Sequence, residues 1–130
     1  MKHLPTVLIE LVPHKKQRYD TAGDYFLSKN WDGMKVCNIK ISKMRSVDSE
    51  FMVAVHELVE WFLTNERGIS EKEITDFDLA HLDADDPGCL KSAPYRKEHL
   101  FSMKIERMIC KELGIDFDKY YKEFEKGIIR

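Results

Sequence analysis

The feature that most constrains this chain is an apolar stretch at residues 51–63, FMVAVHELVEWFL. Ten of its thirteen residues are apolar, which is typical of a helix that is buried on most of its circumference. The three exceptions are His56, Glu57 and Glu60. Charged side chains are rarely buried unless they are paired or bind a metal. The stretch therefore predicts a central helix, and its three polar residues require an explanation.

The spacing of these polar residues is close to that of a metallopeptidase zinc motif. Residues four apart lie on one face of a helix, so His56 and Glu60 share a face and Glu57 lies at its edge. In H-E-x-x-H the two histidines bind zinc, and the glutamate accepts a proton from the attacking water. Glu60 stands in place of the second histidine, and a carboxylate is also a zinc ligand. The pattern predicts zinc ligands at His56 and Glu60, with Glu57 as the catalytic base.

A solvated stripe is the simpler interpretation of the same residues. Ser49, Thr64 and Arg67 fall on nearly the same arc of the helix as His56 and Glu60. In that case the polar residues face water and have no chemical role. A second polar cluster later in the chain favours a site instead.

That second cluster lies near the start of a helix predicted over residues 92–113, which carries Glu98 and His99. His99 is the predicted third metal ligand. The further candidates are the carboxylates of Asp78, Glu98 and Glu106. Histidine and carboxylate ligands with one open position are what hydrolytic zinc requires. A small sheet, an H-E-x-x-H helix and a ligand from a later helix also resemble the minimal core of zincin-type metallopeptidases.

The remaining elements predict an α+β fold. Residues 6–12 form a short β-rich stretch, and Asp32-Gly33 separates two further strands as in a hairpin with a two-residue turn. Such a turn places Phe26 opposite Ile39. We predict a three-stranded antiparallel sheet packed against the central helix, with further helices around it.

Length and composition exclude several classes of protein. A length of 130 residues predicts a single domain over residues 1–130, and a net charge of −2 gives no basic excess to favour nucleic acid. No apolar run reaches the roughly 20 residues needed to cross a membrane, and no signal-peptide pattern begins the chain. The three cysteines are widely separated, which argues against a disulfide framework and favours the reducing cytoplasm.

A second interpretation uses only the acidic residues. Glu57–Glu60 reads E-x-x-E, and Glu73–Asp76 reads E-x-x-D. These motifs resemble those of the all-α MazG-type nucleotide pyrophosphatases, and the resemblance implies magnesium held by the four carboxylates. Glu73 also completes a capping box with Ser70, which accounts for that acid without a metal.

Several stretches resemble a family of small uncharacterised tailed-phage proteins that share the HELVE motif. The likeness covers about residues 13–116 and includes PHKKQRY, TAGDYF, VAVHELVEW, APYRKEH and ELGID. It implies a phage origin, the cytoplasm of the bacterial host, and a site in the HELVE and APYRKEH stretches. The implied site residues are His56, Glu57, Glu60, Glu98 and His99. A non-enzymatic phage protein that contacts a host protein, with a polar cluster that only fixes its packing, is the third interpretation.

Overall fold

The computed structural model describes residues 3–130. Strands β1 (Thr6–Val12), β2 (Gly23–Lys29) and β3 (Lys35–Ser42) form one sheet. The helices that follow are α1 (Val47–Glu66), α2 (Glu71–Ala80), α3 (Arg96–Leu113) and α4 (Phe117–Glu123). The predicted α+β fold with a central helix is therefore confirmed. Within the described residues, no helix is both long enough and apolar enough to cross a membrane.

The sheet is mixed, so the prediction of antiparallel pairing throughout is wrong. β3 lies in the centre of the sheet, antiparallel to β2 and parallel to β1. The connection at residues 13–22 leads from the end of β1 to the far edge, and the hairpin then returns β3 between the two strands. A hairpin signal specifies only that β2 and β3 are neighbours, so it leaves the position of β1 open.

The β2–β3 hairpin is one residue away from the predicted register. Tyr25, rather than Phe26, lies opposite Ile39, because the connection takes in residues 30–34 instead of two residues. Gly33 in this loop has a φ of 83°, a left-handed conformation that glycine adopts readily. A shift of one residue moves every side chain of a strand to the other face. Tyr25 therefore points towards α1.

The core lies between the sheet and α1, and α3 packs on another side of α1. From β3, Cys37, Ile39 and Ile41 are buried on the inner face of the sheet. The Sγ atom of Cys110 on α3 lies 3.2 Å from the Sδ atom of Met52 on α1. The sheet and α3 cover two sides of α1, whereas Phe51 and Phe62 on its remaining side are exposed. His56 is 8% exposed and Glu60 is 4% exposed, so these residues do not form a solvated stripe.

The helix that carries His99 begins later than predicted. α3 starts at Arg96, whereas the sequence indicated a start at Ser92. Residues 91–95 form turns that place Ala93 and Tyr95 in the core. Burial of these two side chains outweighs the local capping preference of Ser92. The helix ends at Gly114 as predicted.

Candidate metal centre

Three side chains from α1 and α3 direct one ligand atom each towards a common point. The Nε2 atom of His56 lies 2.9 Å from Oε2 of Glu60 and 3.1 Å from Nδ1 of His99. The Nδ1 atom of His99 lies 2.9 Å from the same Glu60 oxygen. Ligand atoms of a tetrahedral zinc site stand about 3.3 Å apart, since each lies roughly 2.0–2.2 Å from the ion. The three atoms therefore match the ligand set predicted from the sequence.

The carboxylates around the two histidines raise the pKa values of both imidazoles. Burial lowers the pKa of His56, but hydrogen bonds to Glu106 and Glu60 outweigh burial and raise the pKa to about 10. Burial also lowers the pKa of His99, yet its carboxylate neighbours raise it above the ordinary value. With both imidazoles protonated, two N–H donors face each other at 3.1 Å and share one acceptor oxygen. A cation placed among the three atoms would remove that conflict, and a divalent ion replacing two protons leaves the charge unchanged.

Further side chains hold His56 and Glu60 in this orientation. The Nδ1 atom of His56 lies 2.8 Å from Oε2 of Glu106, and the hydroxyl of Tyr120 donates to the other Glu106 oxygen over 3.3 Å. The hydroxyl of Tyr25 donates to Oε1 of Glu60 over 2.9 Å. A proton on Nδ1 of His56 leaves the lone pair of Nε2 free for a metal. Carboxylate partners of this kind fix the tautomer of metal-binding histidines. Glu106, predicted as a further ligand candidate, is therefore an outer partner of His56.

His99 is held from the other side by the segment that precedes α3. The Oδ1 atom of Asp86 lies 2.9 Å from Nε2 of His99, and the hydroxyl of Tyr121 donates to Oδ2 of Asp86 over 2.5 Å. Burial would raise the pKa of Asp86, but His99 lowers it to about 2. A Cβ atom on Gly88 would lie only 2.5 Å from Cγ of His99. Glycine therefore allows this segment to pack directly against the imidazole ring.

Glu57 is close to the cluster but is not engaged by it. A Cβ atom on Gly23 would lie 2.6 Å from Oε1 of Glu57, so this carboxyl group packs against the start of β2. Within residues 3–130 we find no hydrogen bond or ion pair to it. Burial and the neighbouring Glu60 raise its pKa well above the ordinary value. A divalent cation bound beside this carboxyl group would lower its pKa again, so that it could accept a proton in the metal-loaded protein.

The other predicted candidates have different partners. Glu98 is buried and forms an ion pair of 2.6 Å with Arg67. Asp78 accepts hydrogen bonds from the hydroxyls of Tyr19, at 2.8 Å, and Tyr95. Burial raises the pKa of Asp78 despite these two donors. Neither carboxylate belongs to the group of atoms around His56.

The two acids of the E-x-x-D motif form local contacts on the exposed surface of α2. Glu73 completes the predicted capping box with Ser70. Asp76 forms an exposed ion pair with Lys72. These local contacts account for both acids without a magnesium ion.

A serine, a histidine and an aspartate also lie in line elsewhere in the fold. The Nδ1 atom of His14 is 2.8 Å from Oγ of Ser42, and its Nε2 atom is 2.7 Å from Oδ1 of Asp20. Ser42 is 0% exposed, and its hydroxyl donates to the carbonyl oxygen of Thr21. A nucleophile must reach its substrate. This group therefore joins β3 to the connection at residues 13–22 and is not a catalytic triad.

The sequence did not identify Tyr25 and Asp86 as contributors to the cluster. It also did not identify Gly23 and Gly88, which leave room for the side chains of Glu57 and His99. Asp86 lies in the acidic segment DADDPG, residues 83–88, whose composition alone indicates a solvated turn. In its Asp-Pro-Gly order the acid stands two residues before Gly88, and a glycine so close to an acid is the only local signal of the close packing against His99. Tyr25 carries no such signal, because its direction depends on the strand register.

Replacing Glu106 by glutamine tests the outer partner of His56. We expect zinc affinity to fall by about 10- to 100-fold, since loss of such partners costs that much at other metal sites. Competition with a chelator of known affinity gives the dissociation constant. Glu112→Gln, an exposed change on the same helix, is the matched control and should leave the affinity unchanged. Equal affinities for the two variants would contradict the role given to Glu106.

The cluster thus combines three convergent ligand atoms with a neighbouring carboxyl group that has no fixed partner. Such a combination can bind a divalent cation and accept a proton from a water molecule.

Comparison with known proteins finds no relative: no family model, no curated protein and no solved structure matches the chain.

Proposed function

We propose that this chain is a metal-dependent hydrolase of the zincin type, encoded by a phage. His56, Glu60 and His99 would be the zinc ligands, and Glu57 the general base. The observation that carries the proposal is the contact of three ligand atoms at 2.9–3.1 Å, with two imidazole nitrogens facing each other. Two of the three come from one helix at the i, i+4 spacing of the metallopeptidase motif.

Each residue of the cluster has a distinct task in this proposal. A bound zinc ion would act as a Lewis acid and lower the pKa of a water molecule to about 7. Glu57 would accept a proton from that water and pass it to the leaving group. Tyr25 holds one oxygen of Glu60, so that the other oxygen faces the two histidines. Glu106 keeps the proton of His56 on Nδ1 and away from the site.

The donor set favours zinc over magnesium. Two of the three convergent atoms are imidazole nitrogens, which suit zinc, whereas magnesium requires oxygen ligands. The pyrophosphatase alternative needs Glu73 and Asp76 at the site, and both have local partners on α2. These contacts support the zinc hydrolase as the better proposal.

A hydrolysis screen of the zinc-loaded protein tests the proposal. Peptide, amide and ester substrates are offered to the wild type, to chelator-treated protein and to His56→Ala. We expect a zinc-dependent activity that the chelator and the variant both abolish. His81→Ala is the control, because His81 bonds to the carbonyl oxygen of Phe77 on α2, outside the cluster.

The alternatives give different results in the same screen. Magnesium-dependent hydrolysis of nucleotides that is indifferent to His56 and His99 would overturn the proposal in favour of the pyrophosphatase. No metal binding, together with a loss of stability on replacing Glu60, would indicate a polar cluster that only fixes the packing of a non-enzymatic protein.

A further inference from the structure

The two histidines of the cluster differ at their outer nitrogens. His56 uses its Nδ1 atom in a hydrogen bond of good geometry to Glu106, 2.8 Å long. The Nε2 atom of His99 has a carboxylate oxygen of Asp86 at 2.9 Å, yet this buried nitrogen completes no hydrogen bond. Because the distance is short, the failure lies in the angle. This nitrogen therefore makes an ion-pair contact with Asp86 without a well-aligned hydrogen bond.

The side chain next to Asp86 in this space is a thiol. The Sγ atom of Cys89 lies 3.3 Å from Oδ2 of Asp86, and one ligand atom each from Asp86, Cys89 and His99 lie within 4.8 Å of one another. The thioether of Met103 is 3.7 Å from the same sulfur. Thiolate, imidazole and carboxylate together are a donor set for zinc and other borderline-soft divalent ions.

The backbone of this segment is built around the imidazole. Asp86 directly precedes the short 3-10 helix Pro87–Cys89, and Cys89 is the last residue of that helix. Gly88 between them is buried against the ring of His99, where a Cβ atom would lie 2.5 Å from Cγ. The absence of a side chain at Gly88 brings both donors to the Nε2 edge of the ring.

We propose that Asp86, Cys89 and Nε2 of His99 form a second binding site for a divalent soft or borderline metal ion. Binding releases the thiol proton of Cys89 and the proton of Nε2, and the metal takes their places. The site shares only His99 with the zinc site of the proposed function, and it uses the opposite nitrogen. With both sites filled, His99 would have lost both ring protons and would give one nitrogen to each site.

Cobalt titration of the whole protein tests this second site. Cobalt bound by a thiolate gives a near-ultraviolet charge-transfer band that nitrogen and oxygen ligands do not give. The other two cysteines, Cys37 and Cys110, are fully buried in the core. We expect about two cobalt ions per wild-type chain, together with this band. Cys89→Ser should lose the band and one equivalent, and His56→Ala should lose one equivalent and keep the band.

A matched pair of variants tests the carboxylate. Asp86→Asn should weaken the cobalt binding that produces the band by at least about tenfold, in the range seen for loss of a single metal-site partner. The control is Asp85→Asn, a change of the exposed neighbouring residue, and it should leave that binding unchanged. An independent readout uses the wild-type chain: cobalt should protect the thiol of Cys89 from alkylation, as located by mass spectrometry.

The outcomes separate the two sites. Absence of the band at saturating cobalt, or a band of full intensity in Cys89→Ser, would overturn the second site. A band in His56→Ala with only one cobalt per wild-type chain would support the second site and contradict the proposed function. Cobalt that is bound without the band and lost in His56→Ala would support the first site alone.

Discussion

Replacing Glu57 by glutamine is expected to leave zinc bound and to lower the rate of hydrolysis by about 10²- to 10⁴-fold, the usual contribution of a general base. Glutamine has nearly the same shape, and Glu57 is not one of the three convergent atoms. The amide cannot accept a proton as the carboxylate does. The measurement is the rate on the best substrate of the hydrolysis screen, beside the zinc content of the same sample.

The same substitution should not destabilise the protein at pH 7. Burial raises the pKa of Glu57 in the folded state, so the neutral carboxyl is favoured there. Any stability that this shift contributes is present at low pH and is lost as the pH rises through the folded-state pKa. Glutamine is neutral at every pH and avoids that loss. The control is Glu123→Gln, a change of an exposed residue. Undiminished hydrolysis by the Glu57→Gln variant would exclude Glu57 as the base.

Replacing Gly88 by alanine is expected to disrupt zinc binding although no ligand is changed. The added methyl would lie 2.5 Å from Cγ of His99 and 2.7 Å from its Nδ1 atom. Either the ring or the backbone must move, and overpacking of this kind costs about 1–3 kcal/mol. We therefore expect a lower melting temperature, by several degrees, and a weaker zinc complex. Thermal unfolding with and without zinc measures both effects.

Gly127→Ala is the matched control for this experiment. The methyl group added there would meet Cε of Met44 at 3.5 Å, an ordinary contact distance. Removing glycine at an unstrained position lowers the entropy of the unfolded chain and stabilises by about 0.4–1 kcal/mol. If Gly88→Ala bound zinc as tightly as Gly127→Ala, the close packing of the segment on His99 would have no importance for the site.

The convergence of His56 and Glu60 could be predicted because their relation is local. His56 and Glu60 are one helical turn apart, and the period of the helix alone places them on one face. The approach of His99 to these two residues could be predicted from the expectation that a later helix, α3, packs on α1. Glu106 was predicted as a further ligand, but it contacts Nδ1 of His56 instead, and this contact depends on the relative rotation of α1 and α3.

The missed features are those that depend on long-range geometry. Tyr25 reaches Glu60 because the hairpin loop is longer than the two residues that Asp32-Gly33 indicates, and one residue of register decides which face a side chain takes. The position of β1 was also open, because parallel pairing to β3 leaves no local signal. Asp86 lies in a loop whose composition alone favours solvent.

Zinc stoichiometry after equilibrium dialysis tests the central claim most directly. The wild type, His56→Ala and His81→Ala are loaded with zinc, dialysed free of excess metal, and analysed for zinc per chain. We predict that His56→Ala binds one equivalent less than the wild type, while His81→Ala binds as much as the wild type. Equal zinc content in the wild type and His56→Ala would contradict a metal centre at His56, Glu60 and His99.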